Sequence, residues 1–201
     1  ESGGLKHTVS TFWKLLRDRA FMGCALTAGL AFAAMFGYIS GSPFVLQEVY
    51  GATPQQYSLI FGLNAFGLTA MAQVGGRLSG RVPPVMLVFT GLVTALTGAG
   101  LLLAAALTGL GLWGIVGGLF VIMLGQGLVM PGTGALALSS QPAQVAGSAS
   151  ALLGVLQFAL GAAAAPLVGL VGAGSAVPMA CVMLGLIFCS SLAFTFLRKV
   201  R

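Results

Sequence analysis

Gly75-Gly-Arg-Leu-Ser-Gly-Arg-Val-Pro-Pro84 is a short basic turn between two long apolar runs. Arg77 and Arg81 are the only charged residues between Glu48 and Arg198. A soluble domain carries about a quarter charged residues. This chain of 201 residues carries 6%, with 58% hydrophobic residues and a mean hydropathy of +1.03. It therefore reads as an integral membrane protein. The apolar runs do not alternate with polar residues, so they are helices rather than membrane strands. The 31 glycines follow no three-residue period, and within apolar runs they suit closely packed membrane helices.

Working outward from the turn, span two covers 57–74 and span three 84–107. Span one covers 21–44, span four 112–130, span five 145–171 and span six 176–197. Each approaches the roughly twenty residues needed to cross a bilayer core. Residues 1–19 form a basic segment with Lys6, Lys14, Arg17 and Arg19, and Phe12, Leu15 and Leu16 at helical spacing. It reads as an interfacial helix with Trp13 at headgroup level and His7 in water. The longer loop 136–144 is uncharged, and Pro166 should kink span five.

With six crossings, the first segment, the turn at 75–84 and the tail share one side. They hold all nine Lys and Arg. The positive-inside rule then puts both ends in the cytoplasm. Since the basic residues sit at the ends of apolar runs, the net charge of +6 serves topology rather than nucleic acid. Cys24, Cys181 and Cys189 have no metal or disulfide spacing. One His and three acids assemble no catalytic group, and no phosphate loop follows a strand, so an enzyme is excluded. The start at Glu1 suggests a piece of a longer protein.

Small residues mark helix contacts: Gly29, Ala33, Gly37 and Gly41 in span one, Gly114, Gly118, Gly125 and Gly132 in span four, and Gly147, Gly154 and Gly161 in span five. Asn64, Gln126 and Gln157 lie near mid-depth. Each costs energy in hydrocarbon unless it faces a cavity or another helix. Either a substrate contact or an interhelical bond satisfies that demand. Phe32, Phe36, Phe61, Phe66, Phe120 and Phe158 could form an aromatic pocket or pack against lipid and core, and Tyr38 and Glu48 lie near the outer mouth.

Phe36-Gly-Tyr-Ile-Ser-Gly-Ser-Pro-Phe44, then Phe61-Gly-Leu-Asn64-Ala-Phe-Gly67, resembles the bicyclomycin-resistance type of drug:proton antiporter in the major facilitator superfamily. Ala146-Gly-Ser-Ala-Ser-Ala-Leu-Leu-Gly154 with Gln157 resembles the start of that family's eleventh helix, and Leu15 to Phe21 the entry to its seventh. Gly76, Leu78 and Arg81 match the superfamily loop motif, with Gly80 at its acidic position. The roles left to this turn are topology and tightness, with Arg81 available to bond helix-end carbonyls.

The resemblance implies an all-α fold, the C-terminal half of a twelve-helix transporter, built as two inverted three-helix repeats in a bacterial inner membrane. Spans one, two, four and five would line a cavity and spans three and six would brace it. Asn64, Gln126, Gln157, Phe32, Phe36, Phe61 and Tyr38 would then meet a small hydrophobic drug. The implied partners are the lipid bilayer and the N-terminal half. No cofactor is expected, since a proton gradient would supply the energy. No acid lies deep in these spans, which places the proton-carrying carboxylate in the other half. The alternatives are a sugar or metabolite carrier and a six-span homodimeric scaffold.

Overall fold

The computed structural model describes residues 5–170 and 174–198, with side chains within 10–167 and 174–196. The side chains of Lys6, His7 and Arg198, the end of span five at Val171, and the tail residues Lys199 and Arg201 lie outside the described residues. The helices are α1 (Leu5–Arg17), α2 (Arg19–Pro43), α3 (Pro54–Leu78), α4 (Pro84–Thr108), α5 (Gly111–Ser139), α6 (Ala146–Leu170) and α7 (Val177–Arg198). Six of them, α2 to α7, are long and apolar enough to cross a membrane. Among the described residues there is no strand, only an isolated bridge between Ser79 and Val82 in the basic turn.

Local chemistry sets the helix ends. Asp18 Oδ1 accepts from the Ala20 and Phe21 N–H groups and so caps α2. Thr53 and Gln56 form a capping box at α3, with Pro54 in the first turn. Gly109, at φ 67°, supplies the left-handed residue that ends α4. Two stretches differ from the sequence expectation. Beyond Pro43 the chain does not turn into a loop but continues as a π-helical segment, Phe44–Val49, with Val45 and Leu46 buried. The fourth span does not stop at Met130. It runs through Pro131 to Ser139 because Gly132, Thr133 and Ala137 are buried against the bundle, and the Thr133 hydroxyl bonds the Val129 carbonyl. α6 likewise passes Pro166 and stays helical to Leu170.

The packing has an internal two-fold pattern. α2 packs on α5, α6 and α7; α5 packs on α2, α3 and α4; α4 also meets α7. Exchanging α2, α3 and α4 for α5, α6 and α7 maps this set of pairs onto itself. That is the arrangement of two inverted three-helix repeats. Every extensive interface joins a helix of the first repeat to one of the second. α2 and α5 are the most buried spans, α3 and α6 the least.

The α4–α5 seam is the most extensive and is closely packed. A β-carbon on Gly98 would lie 2.6 Å from the Ile122 nitrogen, one on Gly118 2.7 Å from the Leu102 backbone, and one on Gly125 2.5 Å from the Gly91 carbonyl oxygen. Here backbone meets backbone, with no side chain able to yield. On the far side of α4, the hydroxyls of Thr90, Thr94, Thr97 and Thr108 each donate to the carbonyl four residues back. They spend their polarity within the helix, so a lipid-facing surface carries them at little cost.

Candidate functional site

The α2–α3 contact carries a polar and aromatic cluster. Asn64 is 1% exposed and Tyr38 is buried. Asn64 Nδ2 donates to the Tyr38 hydroxyl at 3.0 Å. The Tyr38 ring stacks on Phe61 with centroids 5.6 Å apart, and Phe61 meets Tyr57 at 6.0 Å. The Tyr57 hydroxyl lies 3.4 Å from Ser42 Oγ. Helical spacing builds the group: Tyr38 and Ser42 are four apart on α2, while Tyr57, Phe61 and Asn64 fall at i, i+4 and i+7 on α3. That spacing is a sequence signal that reaches Tyr57 and Ser42, which the amide-and-aromatic reading of the sequence passed over.

Gln126, also 1% exposed, is held elsewhere. Its Nε2 donates to the Ala31 carbonyl of α2 at 2.7 Å. Two buried atoms, Asn64 Oδ1 and Gln126 Oε1, have no hydrogen-bond partner. An unpaired buried acceptor costs about 1–3 kcal/mol. Each amide therefore joins two helices and still presents an unfilled acceptor.

The other expected residues divide by place. Phe32, Phe36 and Phe158 form a second aromatic group between α2 and α6, with Phe32 5.3 Å from Phe36 and 5.2 Å from Phe158. Gly161 backs the Phe32 and Phe36 rings. Gln157, next in sequence to Phe158, is partly buried and makes no hydrogen bond among the described residues. Phe120 fills the α3–α5 contact against Gly67, and Phe66 points outward. Glu48 is exposed on the π-helical segment. In the basic turn, the Leu78 carbonyl accepts from the backbone N–H groups of Arg81 and Val82, each at 2.9 Å. Gly80 takes φ 101°. The turn is closed by main chain, and the exposed Arg81 side chain bonds no helix-end carbonyl.

A helical bundle of six apolar spans in two inverted repeats, with a few buried amides between helices, is the architecture of a membrane-embedded protein. Residues 2–166 match the family model of the Major Facilitator Superfamily. The chain belongs to that superfamily. It is 39% identical over 194 residues to the uncharacterized MFS-type transporter YdgK of Bacillus subtilis, covering 96% of this chain and 48% of that protein. It is 27% identical over 187 residues to a bicyclomycin resistance protein homolog of Haemophilus influenzae, covering 92% of this chain and 46% of the relative. The chain thus spans about half the length of the curated relatives it matches.

Proposed function

We propose that the chain is the C-terminal half of a secondary exporter that moves small hydrophobic drugs out of a bacterial cell in exchange for protons. Two halves would rock about a midplane site to alternate access. The basic end would face the cytoplasm. The observation that carries this reading is the Tyr38–Asn64 bond set on the Tyr38–Phe61 stack. The pair is uncharged and buried and holds one unfilled acceptor, so a drug with few donors would meet it by way of the partly buried Phe61 ring. The Phe32, Phe36 and Phe158 group adds more aromatic surface. The bicyclomycin resistance homolog among the relatives points the same way. Half the length of those relatives is unaccounted for, and the sparsely covered flanks α3 and α6 offer it a seat.

The test uses the full-length protein in cells stripped of other exporters. Asn64→Ala and Gln157→Ala should change the profile of drugs resisted while membrane insertion is unchanged. Drug-dependent proton movement in inverted vesicles should fall with them. Unchanged resistance to every drug tested would return both side chains to helix packing. A second reading, a sugar or metabolite carrier, is favoured by the unfilled amide oxygens, since a polyol hydroxyl could donate to either. Polyol uptake that is lost in Asn64→Ala, with no drug phenotype, would select it.

A further inference from the structure

α1 shows a mismatch between its composition and its surroundings. It lies outside the six spans, at the basic end, and packs on α2 and α6. Leu15 and Thr11, one turn apart, are buried against the bundle. Trp13 and Leu16 point away from it and are 59% and 40% exposed. On the helical wheel they lie between the bundle-facing side and a cationic edge made by Lys14 and Arg17, both exposed. The Arg17 guanidinium sits 5.2 Å over the Trp13 ring, so one charge is fixed beside the larger apolar side chain. Arg19 follows at once, and Arg77 and Arg81 are exposed at the same end of the bundle.

The local acid does not offset these charges on the outer face. Asp18 is the only acid among the described residues at this end, and both of its carboxylate oxygens are engaged. Oδ1 caps α2, and Oδ2 accepts from Gln141 Nε2 at 2.7 Å. A helix with one face on protein, an apolar strip of Trp and Leu, and a cationic edge fits the headgroup boundary of a bilayer. The ring and the leucine enter the acyl edge, and the cations remain at phosphate level. Each such cation near an anionic surface favours binding by about five-fold, and salt weakens the effect.

We propose that the outward face of α1, formed by Trp13, Leu16, Lys14 and Arg17, binds anionic phospholipid headgroups in the leaflet at the basic end. The proposal requires only that the bundle spans a membrane, not that it exports drugs. The protein is reconstituted in phosphatidylcholine nanodiscs that contain an equal fraction of either brominated phosphatidylglycerol or brominated phosphatidylcholine. The fluorescence of the parent minus that of Trp13→Phe isolates Trp13. Brominated phosphatidylglycerol should quench that signal at least about three-fold more than brominated phosphatidylcholine. The excess should vanish in the Lys14→Gln/Arg17→Gln variant and in high salt. Equal quenching by the two lipids overturns the anionic preference. Quenching by neither overturns lipid contact altogether and assigns the face to another part of the protein. Leu16→Trp, read in the same nanodiscs, keeps the test open should Trp13→Phe fail to fold.

Discussion

The α4–α5 seam and the α6 helix both carry glycines seven residues apart, and the structure treats them in opposite ways. In the seam, Gly91 and Gly98 of α4 interleave with Gly118, Gly125 and Gly132 of α5, and an added β-carbon would strike neighbouring atoms. On α6, Gly147 and Gly154 have nothing within 4 Å, and only Gly161 meets a neighbour. That neighbour is a pair of phenylalanine rings rather than backbone. The same sequence signal therefore marks a contact already made in one place and an open face in the other. Glycine spacing reports that a helix can be approached closely; it does not say by what.

The close-packed seam is most vulnerable at Gly125. Gly125→Val should destabilise the bundle by about 3 kcal/mol or prevent its assembly, because rigid backbone opposes the new methyl groups. Thermal unfolding in detergent measures this, and a near-parental midpoint would mean the seam can open. Asp18→Ala comes next. It removes the α2 cap and loosens the loop that leads into α6, since Gln141 keeps only its longer bond to Ser140 Oγ. The expected loss is about 1 kcal/mol, read from the same melts, while Asp18→Asn should retain most of the cap. Asn64→Leu should cost about 0.6 kcal/mol, the average for a hydrogen bond between membrane helices. Tyr38→Phe should cost a similar amount, and the double variant little more than either alone if the two act as one pair. The smallest effect belongs to the open side. Gly154→Val should change the stability of this chain by less than about 0.5 kcal/mol. If the same substitution in the longer protein lowers its stability by several times that, a second surface covers α6 there.

Much of the architecture was legible because a bilayer imposes a length and a polarity that hydropathy reads directly. The six spans, the alternation of direction around Arg77 and Arg81, and the need of Asn64 and Gln126 for partners away from lipid all follow from that constraint. The extension of α5 did not. Pro131-Gly-Thr-Gly134 looks like a stop, and only packing of Gly132 and Thr133 against the bundle keeps it helical. The π-helical segment after Pro43 was missed for the same reason: buried Val45 and Leu46 keep the chain helical past a proline, which would otherwise end it. Within the site, Asn64 and Tyr38 were visible as candidates, but their bond was not, since it joins residues 26 apart. Gln126 and Asn64 looked equivalent in sequence. One is tied to a tyrosine and the other to a backbone carbonyl, a distinction set by helix rotation.

The cross-repeat packing also bears on how the chain is made. Within this chain, synthesis delivers α2, α3 and α4 before α5, and no two of them share an extensive interface. Their glycine and amide faces lack their partners in this chain until α5 enters and gives α3 and α4 their common neighbour. α2 meets α5 as well, but its larger interfaces wait for α6 and α7, and the bond that Gln141 donates to Asp18 closes across 123 residues of chain. The first repeat is thus three separate helices during insertion rather than a preassembled unit. A nascent chain stalled before Gly111 should remain open to proteases and lipid-soluble cross-linkers, and a chain released after α7 should resist both.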